Sequence, residues 1–444
     1  MAEIETVCVI GMGYIGLPTC AILASRGLEV IGVDVDGAVV DKVNRGEIHI
    51  VEPDLDGLVQ KVVANGKLKA FTEPQPADAF VIAVPTPITE DHKPDVSYVM
   101  AAAKSVARVL KKGDLVVLES TSPVGTTRRM AHLLAELRPD LTFPHQQEED
   151  ADVLVAYSPE RVLPGKVLIE IINNDRSIGG LSRHSSERTA SLYANFVGGD
   201  LFLTSAESAE LVKLTENAFR DVNIAFANEL AAVCQDLRLN VWEVIDLANR
   251  HPRVNILQPG PGVGGHCIAV DPYFIIDAAP KSTQLMSAAR RVNSERPYAV
   301  VKDIEALLQP GKQQTIACLG LSFKPNIDDL RESPAVEVVK RLSELPGVKI
   351  VASEPYAHAL PHELEGRGID FVDPLSAIDR ADIVVLLVDH RQFNFIDPES
   401  LRDKQLVDTR GLWTWRKARK PDARVEGSKS RAARNVVSIT EHAA

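Results

Sequence analysis

The sequence predicts an α/β protein in which two doubly wound parallel-sheet domains are joined by a central helical domain with one long helix. Three observations carry this expectation. Short apolar runs alternate with amphipathic stretches over the first 200 residues, the same rhythm returns after residue 300, and the segment 206–236 between them reads as a single helix.

In the first part, residues 6–10, 30–34, 79–84 and 115–119 are strand-like. They are nearly continuous in Val, Ile and Leu, as strands covered on both faces must be. Along 206–236, Leu211, Ala218, Val222 and Ala225 follow the spacing of an apolar stripe. Lys213, Asn217 and Arg220, at i, i+4 and i+7, are expected on roughly the opposite face. A shorter helix is expected over 241–248. In the last part, 315–321, 348–352, 383–388 and 405–407 are the strand candidates, and Ser333-Pro334 supplies an N-cap and first-turn proline for a helix over 335–342. The expected division is 1–200, 201–300 and 301–415, followed by 416–444. That last segment, with eight Lys or Arg against three acidic residues, reads as a basic, disordered tail.

Composition excludes several classes. Of 444 residues, 45% are hydrophobic and 25% charged, the balance of an ordinary globular chain. A net charge of −12 argues against a nucleic-acid partner, whose phosphates need a basic surface. No apolar run approaches the roughly 20 residues that cross a bilayer, and the N-terminus is acidic where a signal peptide would be basic, so a cytoplasmic location is expected. The five cysteines form no C-x-x-C pair. Four lie in apolar runs and read as small buried hydrophobes, whereas Cys267 sits in the loop Gly-Val-Gly-Gly-His-Cys-Ile. His251, His266 and Cys267 have no fourth partner at a familiar spacing, so no metal is expected.

The first strand runs directly into Gly11-Met12-Gly13-Tyr14-Ile15-Gly16. In that context Gly11 permits a tight turn, Gly13 lets backbone approach a pyrophosphate and Gly16 allows helix to pack on strand, the Rossmann-type dinucleotide fingerprint. The helix start offers free N–H groups to phosphate. Asp34, at the end of the second strand, would take the ribose hydroxyls and repel a 2′-phosphate, which favours NAD. Three further segments are rich in reactive side chains: Ser158-Pro159-Glu160-Arg161-Val162; the face Lys213, Asn217, Arg220; and His251 through Cys267 to Asp271. Together they supply a nucleophile, a base or oxyanion partner and a second carboxylate.

These segments, with Gly-Glu-Ile-His-Ile-Val-Glu-Pro-Asp-Leu (46–55), Val-Pro-Thr-Pro (84–87), Glu-Ser-Thr-Ser-Pro-Val-Gly (119–125), Lys-Leu-Thr-Glu-Asn-Ala-Phe-Arg-Asp-Val-Asn (213–223), Pro-Gly-Val-Gly-Gly-His-Cys-Ile-Ala-Val-Asp-Pro (261–272) and Phe-Lys-Pro-Asn-Ile-Asp-Asp-Leu-Arg-Glu-Ser-Pro (323–334), run in order from residue 1 to about 415. The chain resembles the UDP-glucose/GDP-mannose dehydrogenase family. The resemblance implies Tyr14, Ile15, Asp34, Thr86, Thr127 and Arg331 at NAD, and Arg161, Val162, Lys213, Asn217, Arg220, Gly264, Phe323 and Lys324 at a UDP-sugar. It implies Cys267 as nucleophile, with Lys213, Asn217, Asp271, Glu160 and Thr121 around it. It also implies His251 and Arg253 reaching a neighbouring subunit's site in a homodimer.

Two departures matter. Val270 stands where the UDP-glucose branch usually has Lys, and His266 where it usually has Ser; both favour the N-acetylhexosamine branch. The implied reaction is a four-electron oxidation of the C6 alcohol of UDP-N-acetyl-D-mannosamine through a thiohemiacetal and thioester on Cys267, with Lys213 lending the sulfur thiolate character. The alternatives are UDP-GlcNAc, UDP-GalNAc or UDP-glucose as substrate, or a non-catalytic nucleotide-sugar sensor, which would have no use for Cys267 and Lys213.

Overall fold

The computed structural model describes residues 3–163 and 165–417. The expected basic tail lies, from residue 418 onward, outside the described residues.

The first sheet is built from β1 (Thr6–Ile10), β2 (Glu29–Val33), β3 (Leu68–Phe71), β4 (Ala79–Ile82), β5 (Leu115–Leu118), β6 (Leu154–Tyr157), β7 (Arg176–Gly180) and β8 (Leu201–Ser205). They lie in the order β3-β2-β1-β4-β5-β6-β7-β8. All pairings are parallel except β6 with β7. Order reverses between β1 and β4, which opens a crevice at the carboxyl ends of the strands, where ligands bind in such sheets. β4, β5 and β6 are buried at every position, so helices cover both faces. The second sheet, β9 (Gln314–Leu319), β10 (Val348–Ser353), β11 (Asp370–Phe371), β12 (Ile383–Leu386) and β13 (Gln405–Asp408), is wholly parallel, with order β11-β10-β9-β12-β13. Between the sheets runs the helix Ala206–Asp236, with Val241–Ala248, Asp271–Ala278 and Gln284–Glu305 against or beside it.

The long helix has the expected ends but not the expected faces. Ala218 and Ala225 are buried, yet so are Lys213 and Asn217, and Leu211 is 43% exposed. The helices Asp271–Ala278 and Gln284–Glu305 pack on its polar side and carry their own polar groups to meet it. Asp221 takes hydrogen bonds from Arg290 (2.6 Å) and Asn293 (2.8 Å), and Asn228 donates to Asn293 (2.9 Å). Periodicity assigns polar residues to solvent, whereas here the partners that bury them come from about 70 residues further along.

At the carboxyl edge of the first sheet a buried ion pair joins Glu119, just after β5, to Arg176, which opens β7 (2.8 Å). The Tyr193 hydroxyl donates to the same carboxylate at 3.3 Å, and the guanidinium lies 4.5 Å from the Tyr193 ring. The pair spans the end of β6, where the loops carrying Thr121 and Glu160 leave the sheet. Removing one partner of such a pair strands the other's charge, at about 3–5 kcal/mol. Arg176→Met is expected to lower the unfolding free energy in a urea titration by an amount of that order, with a lower midpoint, and adding Glu119→Gln to recover most of the loss. An unchanged midpoint in the single variant would show that the pair is not needed.

Candidate active site

The glycine loop is shaped by exclusion. Gly11 has φ +94°, and a Cβ there would lie 2.6 Å from the Ala83 carbonyl oxygen; at Gly16 it would strike the Gly11 carbonyl. A Cβ at Gly13 would meet nothing within 4 Å, which leaves that face of the loop open to a phosphate. Asp34 directly follows β2. Its carboxylate accepts from the backbone N–H groups of Met12 and Asp36, each at 3.0 Å, so it is fixed against the loop it would share with a ribose. This cradle fits a dinucleotide.

Two neighbouring loops close the cofactor side. The Thr86 hydroxyl donates to the Thr121 carbonyl, joining the loop after β4 to the loop after β5. Thr127 is wholly buried, and its hydroxyl donates to Glu210 at 2.7 Å, so its tie to the cofactor loops runs through the helix Thr126–Leu137. From the other side Arg331 forms a bidentate pair with Asp329 (2.7 and 2.9 Å), and both lie within electrostatic reach of Tyr14 beside Ile15. The C-terminal domain therefore bears on the glycine loop.

The catalytic candidates converge from three chain segments. Lys213, 6% exposed, donates to the Glu160 carbonyl at 2.8 Å and approaches its carboxylate at 3.3 Å. Asn217, one turn on, donates to Asp271 at 2.6 Å. Asp271 opens its helix four residues after Cys267, and its backbone N–H donates to the Cys267 carbonyl at 2.8 Å. Burial opposes the Lys213 charge, but the carboxylates of Glu160 and Asp271 around it outweigh that, and its ammonium is held above the ordinary value. Burial raises Asp271 to about 7, against the pull of Asn217 and Lys213.

Cys267 departs from expectation. Burial and the Asp271 charge push its thiol up to about 12, and Lys213 pulls it down by less. The residue is exposed, whereas Cys8, Cys20, Cys234 and Cys318 are buried. At a value near 12 the thiol is neutral at physiological pH.

The loop carrying Cys267 is shaped by the C-terminal domain. A Cβ at Gly265 would fall 2.6 Å from the Phe323 ring, and one at Gly264 would strike the Glu332 carbonyl. His266 approaches Asp329 at 3.7 Å. Burial and the Arg220 and Lys166 charges lower Lys324, with Glu170 opposing. Neither Arg220 nor Lys324 has an ion-pair partner among the described residues, so the cleft carries free positive charge. Arg161 is paired with Glu216, and the Val162 N–H donates to Glu160 at 2.8 Å. His251 and Arg253 lie on an exposed loop, with no hydrogen bond or ion pair to this cluster among the described residues.

Several structural partners escaped the sequence reading. Glu210 caps the Thr126–Leu137 helix from 83 residues away. Glu354, wholly enclosed with His390, accepts from His390 (2.9 Å), Leu321 N–H (2.7 Å) and Ser322 N–H (3.0 Å), which fixes the Lys324 loop. Nothing local marks such residues.

Fold and glycine-loop cradle together define a dinucleotide-dependent oxidoreductase. The match to family models is complete in order: the UDP-glucose/GDP-mannose dehydrogenase family's NAD binding domain over 5–197, central domain over 207–295 and UDP binding domain over 317–414. The chain belongs to this family and is an NAD-dependent dehydrogenase that binds a UDP-sugar. It is 56% identical over 412 residues to an NDP-N-acetyl-D-galactosaminuronic acid dehydrogenase of Ralstonia nicotianae, covering 93% of this chain and 97% of the relative. It is 55% identical over 417 residues to the UDP-N-acetyl-D-mannosamine dehydrogenase of Yersinia pestis, covering 92% and 99%. Among solved structures, a UDP-D-ManNAc dehydrogenase from Pyrococcus horikoshii superposes with a TM-score of 0.82 at 38% identity, covering 92% of this chain and 96% of that one.

The raised Asp271 carboxyl has a consequence for stability. Its value is about 7 when folded and near 3.8 when unfolded, so between these the folded state holds the extra proton. Stability from this group is therefore complete below pH 4 and falls as pH rises through 7. Asp271→Asn is expected to melt higher than the native protein at pH 8, with the gap closing towards pH 4. A gap that stays constant with pH would refute the shift.

Proposed function

We propose that the protein oxidises the C6 alcohol of UDP-N-acetyl-D-mannosamine to the carboxylate, in two hydride transfers per sugar. The observation that carries this reading is the convergence of Lys213, Glu160, Asn217 and Asp271 around the neutral thiol of Cys267. The relative from Yersinia pestis supports the sugar. In a second reading the sugar is the galacto epimer, favoured by the relative from Ralstonia nicotianae.

NAD, when bound, accepts a hydride in each of the two oxidations. Gly11, Gly13, Gly16, Tyr14, Ile15 and Asp34 would hold it, with Thr86, Thr127 and Arg331 closing the site. Residues 1–200 carry the cofactor, 201–300 the chemistry and dimer contacts, and 301–415 the UDP moiety. Arg220 and Lys324 offset the diphosphate charge. Arg161, Val162, Gly264 and Phe323 line the sugar path.

In the first oxidation the C6 hydroxyl proton passes to the Asp271 carboxylate and from there to water as C6 gives up its hydride, and the Lys213 ammonium stabilises the oxyanion that develops, a contribution on the order of 3 kcal/mol. The Cys267 sulfur then bonds to the aldehyde carbon. Because the thiol is neutral, its proton must leave as the bond forms, and Asp271, poised near neutrality, is the acceptor. The second oxidation turns this adduct into a thioester. Water, oriented by Thr121 and Glu160, cleaves the carbon–sulfur bond, gives the carboxylate and returns the thiol.

The enzyme acts as a homodimer in the cytoplasm. Val212, Phe219, Phe226 and Val233 recur every seven residues along the long helix and are 39–67% exposed, the spacing of a helix–helix seam. Phe202 and Leu203 on the edge strand β8 are also exposed. A second copy covering this stripe brings His251 and Arg253 to its neighbour's cleft. No helix among the described residues is long and apolar enough to cross a membrane.

Counting NADH per sugar tests the reaction. Two per UDP-N-acetyl-D-mannosamine, with little from the galacto, gluco or UDP-glucose substrates, is expected; two from another sugar would overturn the substrate, and none from any would overturn the chemistry. Cys267→Ser is expected to yield at most one NADH per sugar, and full turnover would remove the thiol from the mechanism. In sedimentation, Phe219→Asp with Phe226→Asp is expected to bring the mass down to that of the 48.3 kDa chain. A native protein already at that mass would sink the dimer.

A further inference from the structure

The helix Thr126–Leu137 begins without a cap of its own. Its N-cap is Gly125, at φ +91° and with no side chain to offer. An uncapped helix start leaves N–H groups unpaired and a partial positive charge exposed. Here the missing acceptor comes from the long helix. Glu210, 0% exposed, takes the Gly125 N–H at 2.6 Å, the Thr127 N–H at 2.8 Å and the Thr127 hydroxyl at 2.7 Å. One turn earlier, Glu207 pairs with Arg128 of the same helix at 2.8 Å. Two successive turns of the long helix thus grip one helix of the cofactor domain.

What stands at either end of this grip gives it meaning. The loop that runs into Gly125 carries Thr121, whose carbonyl holds Thr86, so both loops on the cofactor side are fastened to the gripped helix start. One turn after Glu210 comes Lys213, whose ammonium is bonded to Glu160. We propose that Glu210 is a positioning residue, setting the distance between the cofactor-side loops 84–87 and 119–127 and the turn of the long helix that carries Lys213. It touches no reacting atom. It acts through Gly125 and Thr127, and it rests on the reading that these loops hold NAD and that Lys213 serves the reacting carbon.

The charge on Glu210 suits this task. Burial pushes its carboxyl up to about 7, against the bonds from Thr127 and Gly125 that favour the carboxylate. A neutral side chain of the same shape keeps one acceptor oxygen and loses the attraction to the helix start. Alanine loses both. The two substitutions should therefore form a graded series.

Glu210→Gln and Glu210→Ala would be titrated with NADH by fluorescence, and separately with UDP by calorimetry. The alanine variant is expected to bind NADH about tenfold more weakly, the scale of one lost hydrogen bond to a charged group. Glutamine should lie between it and the native protein. UDP affinity should stay within about twofold, because the UDP-binding domain lies beyond the grip. In turnover, KM for NAD should rise and kcat fall together, while KM for the sugar holds. Native NADH affinity and kcat in Glu210→Ala would overturn the proposal. So would equal weakening of NADH and UDP binding with a large fall in melting temperature, which marks general damage. Should Glu210→Ala not fold, the isosteric Glu210→Gln carries the same readouts. A native enzyme that binds NADH but oxidises no UDP-sugar would refute the proposed reaction, and the NADH titration would still decide the role of Glu210.

Discussion

The ammonium of Lys213 sits on the long helix, nearly sealed from solvent, and is held by the carbonyl and carboxylate of Glu160. A lysine charge is kept out of water only where anions and acceptors compensate it. That requirement reaches outward through the fold. Glu160 must be delivered by the loop leaving β6, which needs β6 in register with β5 and β7; the Glu119–Arg176 pair locks that edge of the sheet. Asp271 must arrive from the far end of the glycine-rich loop, and Asn217 meets it one turn from the lysine. The site is the place where three distant segments satisfy one buried cation.

The glycine-rich loop obeys a steric constraint of the same kind. Gly264 and Gly265 lie against Glu332 and Phe323 of the C-terminal domain, where any side chain would collide. The root of the loop is held twice, by Arg410 on the Pro259 carbonyl (2.9 Å) and by Arg296 on the Gly260 carbonyl (3.2 Å). Cys267 is thereby positioned by both the UDP-binding domain and the central helices. In the proposed function this packing would couple binding of the nucleotide to the placement of the sulfur.

Local regularities in the sequence were a good guide to the architecture. Strands covered on both faces often betray themselves as continuous apolar runs, and helices over 206–236 and 241–248 were legible from periodicity; in the structure Ser205 and Asn240 cap their starts. The strands β3, β6, β7, β8 and β11 were missed: β3 has four residues, β7 ends in two glycines, β8 is an exposed edge, β11 has two residues, and β6, although a buried apolar run, is only four residues long. At the site, the residue types were legible and their environments were not. Lys213 and Asn217 looked like a solvent face because the helices that bury them begin about 60 residues later. The neutral state of Cys267 was misjudged for a related reason: a nearby lysine is visible in sequence, whereas desolvation is a property of everything packed around the sulfur. Glu210 and Glu354 had no local signature, because each serves backbone groups brought to it only by folding.

The distribution of charge shows how an acidic chain can take an anionic substrate. With a net charge of −12 the molecule as a whole repels a UDP-sugar. Within the cleft the balance inverts. Arg220 lies close enough to Lys324 to disfavour its charge, and neither has an ion-pair partner among the described residues. Other cations near the cleft or in the core, Arg161, Arg176, Arg290 and Arg331, are each paired with a carboxylate. Leaving two together unpaired costs stability, and a diphosphate is the kind of ligand that relieves the cost on arrival. The same logic separates the two halves of the site. Lys213 is already compensated by carboxylates, whereas Arg220 and Lys324 lack compensation; in the proposed function the first would meet charge that develops during reaction and the other two the charge that the substrate brings with it.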